Sequence, residues 1–151
     1  MTATATPAPH TLTEGVAWRP FPGFDGLYYW VVTVDRDRAV VDMLMKFDPG
    51  AKCVPHRHVG PTRTLVLEGE HILYEPHDDS IETARKGPGD VGDNGGDEQH
   101  IEGGGPYGAV ILLTMTAVDD VVYEIFDEAL TLQRTITLED FERGLRKQQA
   151  G

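Results

Sequence analysis

Seventeen glycines and ten prolines interrupt this 151-residue chain so often that a long helix is excluded over most of its length. What lies between them is short and rich in β-branched and aromatic residues. Tyr28 to Val34, Val40 to Phe47, Thr64 to Leu67, His71 to Tyr74, Tyr107 to Thr116 and Val121 to Phe126 read as strands. Asp48-Pro49-Gly50, Glu68-Gly69, Lys86 to Asp90 and the clusters Gly92 to Gly96 and Gly103 to Gly105 read as turns. Strand, turn, strand predicts an all-β sandwich or barrel. Only the end looks helical: Thr137 can cap a helix, Glu139 and Asp140 suit its first turn, and Arg146 and Lys147 suit its last. Leu138, Phe141 and Leu145 then fall on one face.

The length suits one domain, expected over residues 15–151, behind a Thr/Ala/Pro-rich flexible tail over residues 1–14 that includes His10. Thirteen basic against 25 acidic residues give a formal charge of −12, the wrong sign for a partner of nucleic acid. No apolar run approaches the roughly 20 residues of a membrane-spanning helix, so no membrane partner is expected. A lone cysteine, Cys53, permits no internal disulfide, which suits a reducing cytoplasm. With no base in reach, Cys53 reads as a small hydrophobe.

The chemistry concentrates in histidines. His56 and His58 are one residue apart, and on a strand such a pair points both imidazoles to one face, about 7 Å apart along the backbone. The run from Gly50 through His56, His58 and Gly69 resembles the first cupin motif, Gly-x5-His-x-His-x3-4-Glu-x6-Gly, and Gly89 and His100 fall at the Gly and His of the second. Departures are clear: Thr62 stands at the Glu position, Gly95 at the Pro, Asp97 at the second Gly and Gly104 at the Asn. The resemblance covers about Gly50 to Leu113. It implies a double-stranded β-helix, the jelly roll or cupin barrel, with a short C-terminal helix and one divalent transition metal held by His56, His58 and His100. With no acid at Thr62, the pattern is similar to the three-histidine dioxygenases that cleave acetylacetone or dihydroxyacetophenone. It is also similar to the zinc-binding cupins of anti-sigma factors.

Neutral imidazoles suit Fe, Ni, Cu or Zn and not Mg or Ca. The first resemblance implies Fe(II), O2 and a small enolisable diketone or hydroxyketone as substrate, with Zn or Ni possible in purified protein. The second implies a zinc-bound effector-binding module without turnover. Glu98 shares strand parity with His100 and could orient it or take a substrate proton. Thr62 and Arg63 could line the cavity mouth, Arg63 as an anion clamp. His71 and His77 read as surface residues. Trp18, Trp30, Tyr28, Tyr29, Phe47 and Tyr107 are expected to fill the barrel or an interface. A homodimer or homotetramer is expected.

Overall fold

The computed structural model describes residues 13–151, so His10 and most of the expected tail lie outside the described residues. Thr13, the first described residue, is buried and its hydroxyl donates to Glu68 Oε1 at 3.1 Å. Ten strands and one helix follow, in the order β1 (Arg19–Pro20), β2 (Leu27–Asp35), β3 (Val40–Phe47), β4 (His56–His58), β5 (Thr62–Glu75), β6 (Asp78–Lys86), β7 (Val91–Asn94), β8 (Gln99–Thr116), β9 (Val121–Phe126), β10 (Leu132–Thr137) and α1 (Leu138–Gln149). All pairings are antiparallel, and the central path runs β1-β2-β3-β8-β4-β9-β10 while β5 pairs with β6, β7 and β8. This is a curled jelly roll.

Alternation builds the core. Along β3, Val41, Met43, Met45 and Phe47 point inward, and along β8 so do Ala109, Ile111, Leu113 and Met115. On the outer face Asp42 accepts from Thr33 and Thr114 across the three paired strands β2, β3 and β8. The helix opens on a capping box between Thr137 and Asp140. Its buried Gln148 both accepts from Val31 N–H (2.8 Å) and donates to Val31 C=O (2.9 Å), next to a register shift in the β2–β3 ladder. Among the described residues no helix is long and apolar enough to cross a membrane.

Several expectations need correction. The two short strands around His71 form one long β5, because Glu68-Gly69 makes a bulge there and not a chain reversal. Gly103 to Gly105 lie inside β8: a Cβ on Gly103 would sit 2.9 Å from Ala51 O, and one on Gly104 2.9 Å from Phe47 Cβ, so glycine is there to let another segment lie on the strand. Gly92 belongs to β7 for the same kind of reason, with Lys86 folded over it. The polar β6 and β10 escaped notice because they are largely exposed and carry little alternation. Tyr107 is 88% exposed and fills no core, since the tight Gly105-Pro106-Tyr107-Gly108 segment turns it outward.

Gly69 combines a φ of +69° with a position where a Cβ would meet Gly108 O at 2.1 Å. Gly69→Ala should therefore destabilise the protein by about 3 kcal/mol, from left-handed backbone strain plus a backbone clash. Urea unfolding checks this; a loss within the ~0.5 kcal/mol of an ordinary surface change would show that the bulge can relax.

Candidate metal centre

Strand β4 lies between the first part of β8 and β9, which sets His56 directly opposite His100 and His58 opposite Tyr123. The centroids of the three imidazoles are 5.0, 4.6 and 5.6 Å apart. A carboxylate stands among them. Glu102, two residues beyond His100 on β8 and so on the same face, places Oε1 at 2.7 Å from His100 Nε2, 3.2 Å from His56 Nε2 and 3.6 Å from His58 Nε2. Its Oε2 is 3.2 Å from Nε2 of a fourth histidine, His71.

The rings are held from behind. His56 Nδ1 lies 3.1 Å from Val54 C=O, which as acceptor fixes the proton on Nδ1 and turns Nε2 inward. Cys53 Sγ accepts from Glu102 N–H at 3.2 Å and lies 3.5 Å from His56 Nδ1. Burial disfavours the Glu102 charge, yet hydrogen bonds from His100, His56 and His71, with the His58 ring close beside them, hold its pKa well below the usual carboxylate range. Burial likewise opposes a charge on His56, but Cys53 and Glu102 raise its pKa well above the ordinary value. His58 goes the other way: burial, with the neighbouring His56 and His100, pushes it down to about 4 despite Glu102.

One donor atom each from His56, His58, His100 and Glu102 lies within 4.8 Å of the others. Neither ring nitrogen of buried His58 has a hydrogen-bond partner among the described residues, nor does His100 Nδ1. A buried imidazole with both nitrogens unsatisfied is costly in a metal-free core. Three imidazole nitrogens and one carboxylate oxygen suit a first-row transition ion and not Mg2+ or Ca2+. The residues fit a metal.

Two cavities use His58 and Glu102 as a common wall. One is apolar, about 460 Å3 including its opening, and is lined by Phe24, Leu27, Met43, Met45, Leu113, Tyr123 and their neighbours. The other, about 410 Å3, is polar and is lined by Thr62, Thr64, His71, Lys86, Asn94 and Glu98 among others.

The structure brings His56, His58 and His100 together and distributes the remaining candidates. Thr62 is buried in the wall of the polar cavity, where its hydroxyl donates to Gly60 C=O at 3.2 Å. Arg63, the next residue, faces outward, 68% exposed and paired with Asp93 at 2.9 Å, in a groove that contains none of the histidines. Glu98 is half exposed, receives a hydrogen bond from Asn94 and has Oε1 3.7 Å from His100 Nδ1. Three readings change. The cluster does contain an acid, Glu102, which the parity used for Glu98 would have found one step further along the strand. His71 is buried at 3% exposure against that acid, whereas His77 is exposed as expected. Cys53 has a histidine neighbour, so it is more than a space-filling hydrophobe.

A solved acetylacetone dioxygenase from Acinetobacter johnsonii superposes on this chain with a TM-score of 0.72 at 12% identity, covering 97% of both chains. A protein from Methylibium petroleiphilum, provisionally assigned the same activity, gives 0.71 at 15% identity, covering 96% of this chain and 99% of its own. The fold is that of the cupins. The family model of the ChrR cupin-like domain matches this chain over residues 9–81, a stretch that holds His56 and His58 and stops before His100 and Glu102. The structure of Rhodobacter sphaeroides SigE in complex with the anti-sigma ChrR gives 0.54 at 24% identity, covering 67% of this chain and 49% of that chain. No curated protein sequence matches this chain.

Elemental analysis should find about one first-row transition ion per chain. His100→Ala and Glu102→Ala should each lower retention under chelator challenge at least tenfold. Equal retention in wild type and the variants would remove these residues from the site.

The metal-free protein should also lose stability as pH falls. His58 is protonated below about pH 6.5 in the unfolded chain but only below about pH 4 when folded, so the unfolded state binds the extra proton across that interval. The loss should reach about 3 kcal/mol by pH 4, with Glu102 adding to it below its unfolded pKa. His56 is protonated in both states there and contributes no slope. Thermal melts of chelator-treated protein check this, and His58→Asn should flatten the slope between pH 6.5 and pH 5.

Proposed function

We propose that this protein is a mononuclear Fe(II) dioxygenase that uses O2 to cleave a carbon–carbon bond in a small enolisable diketone or hydroxyketone. The observation that carries the reading is the apolar cavity opening onto the histidine and glutamate cluster. A closed structural metal site has no use for such a chamber, whereas a ligand with short alkyl ends and a chelating centre matches both its walls and its floor. Likeness to acetylacetone dioxygenases over nearly the whole of both chains supports the same reading.

His56, His58, His100 and Glu102 would hold the ion, which when bound supplies Lewis acidity toward the enolate oxygens and a redox partner for O2. Glu102, kept ionised by its four imidazoles, cancels one of the two positive charges and leaves a site matched to a monoanionic enolate. Its low basicity makes it a poor proton acceptor, so its part is electrostatic. The methionine, leucine and phenylalanine walls exclude water and seat the alkyl ends. Tyr123 lines the same cavity with its ring 6.1 Å from His58, and burial raises its pKa, so the phenol keeps its proton and can donate to a substrate oxygen. Glu98, 3.7 Å from His100 Nδ1 and on the polar cavity, would act on that ring through its charge.

A specific observation favours a second reading, a zinc-holding effector-binding module: the ChrR-type match over residues 9–81. Oxygen-electrode assays of verified Fe(II) protein separate the two. The dioxygenase should consume one O2 per diketone and lose activity on Zn substitution, because zinc has no accessible redox state. Tyr123→Phe should cost about tenfold in kcat/KM, the worth of one buried hydrogen bond at ~1.4 kcal/mol. No oxygen uptake across β-diketones and hydroxyacetophenones would favour the zinc module.

A further inference from the structure

The apolar cavity adjoins an outer chamber of about 640 Å3 that runs beneath α1 to Phe141 and Gly144, and Phe21, Phe24, Met43, Tyr123 and Ile125 line both. The sheet register explains why the two lie side by side. His100, His56, Ile125 and Arg134 are successive cross-strand partners on β8, β4, β9 and β10, and directly opposed residues project to one face. With neighbouring strands about 4.8 Å apart, the backbone of Arg134 stands roughly 10 Å from that of His56.

Arg134 lines this outer chamber, and among the described residues it makes no ion pair. Arg36, Arg38, Arg57, Arg63, Arg85 and Arg143 are paired with carboxylates, and Arg19 and Arg146, which like Arg134 have no such pair among the described residues, line none of these cavities. The chamber's acidic residue, Asp140, does not compensate Arg134, since it accepts from the Thr137 N–H (2.9 Å) and hydroxyl (3.1 Å) and pairs with Arg143 at 3.2 Å. In a chain of net charge −12, an arginine left without an acid at the mouth of an apolar cavity is a chemical signal. A guanidinium in that position offers a planar fork for a carboxylate.

We propose that the outer chamber is a subsite for a carboxylate carried by the substrate, with Arg134 as its cation. The substrate class is then an oxo acid. Its enolisable diketone or hydroxyketone end lies against the histidine cluster, and an apolar tether of several carbons passes Tyr123 and Ile125 to bring the carboxylate to Arg134. The chelating end rests on the dioxygenase reading; the carboxylate end rests on Arg134 and the register. Because Arg134 is itself exposed, the preference it confers is modest, about fivefold in affinity.

The test is equilibrium binding to Fe(II) protein under anaerobic conditions, followed optically. The ligands are β-diketones bearing a carboxylate on alkyl tethers of increasing length, each paired with its methyl ester. Wild type should bind the acid about fivefold more tightly than the ester at the tether that spans the two chambers, with no preference at the shortest tether. Arg134→Gln should abolish that preference and leave ester affinity unchanged, while Arg63→Gln, on the outer surface, should change neither. An ester that binds while no tether shows an acid preference, or a preference that survives Arg134→Gln, overturns the subsite and leaves the dioxygenase reading standing. If neither acids nor esters bind protein of confirmed iron content, the dioxygenase reading fails and the subsite falls with it.

Discussion

The carboxylate of Glu102 is 4% exposed and sits among four imidazoles, and a charge buried that deeply must be met from every side or it would cost several kcal/mol. One oxygen faces His56, His58 and His100, and the other faces His71. The four partners come from three strands: β4 brings two, β8 one, and β5 the fourth from beyond its bulge. The strand order is therefore what makes the charge tolerable. Separating β4 from β8 would lose the His56–His100 pairing and leave Glu102 with only His100 and His71 to meet its charge.

The same pairing shows why some of this was legible in the chain alone and some was not. His56 and His58 announce themselves because a period of two fixes their common face without reference to any other strand. Glu102 was equally available by that rule, counting forward from His100, but the Gly103 to Gly105 run beside it argued for a turn. Those glycines are a strand over which Ala51 and the end of β3 pass at backbone contact distance, and no local pattern distinguishes that use of glycine from a reversal. His71 was hidden for a different reason. Thr62 and Val66 on β5 face inward, and strict alternation puts His71 on the opposite face; register shifts between Val66 and Glu68 and between Gly69 and His71 return it to the inside. A bulge is a tertiary decision, so a parity argument cannot cross it.

Arg63 and Arg134 make the same point in terms of charge. Both are exposed arginines on strands, and nothing in their immediate sequence separates a solvated cation from one aimed at a cavity. Pairing separates them. Arg63 has Asp93 directly opposite on β7, whereas Arg134 lies opposite Ile125, whose side chain can pack against it but cannot neutralise it. Register thus decides which of two similar residues keeps its charge available.

His58 and Glu102 form a wall with a dry chamber on one side and a hydroxyl- and amide-lined chamber on the other. This asymmetry answers a conflict built into any site that handles an ionic centre and an apolar ligand together. His71 Nδ1 and His100 Nδ1 are buried and bonded to no protein group among the described residues, so a cluster open only to the apolar side would give them no polar surroundings at all, a penalty of about 1–3 kcal/mol for each group. A cluster open only to the polar side would meet its ligand in competition with water, in a medium that weakens every charge interaction there. With Thr62, Thr64, Asn94 and Glu98 on one side and Met43, Met45, Leu113 and Tyr123 on the other, the outer ring edges face a cavity with polar walls while the ligating face looks into a low-dielectric pocket. The residue at position 62 belongs to that division: a buried threonine, its hydroxyl already given to Gly60, adds no charge to the polar side and leaves Glu102 as the carboxylate among the histidines.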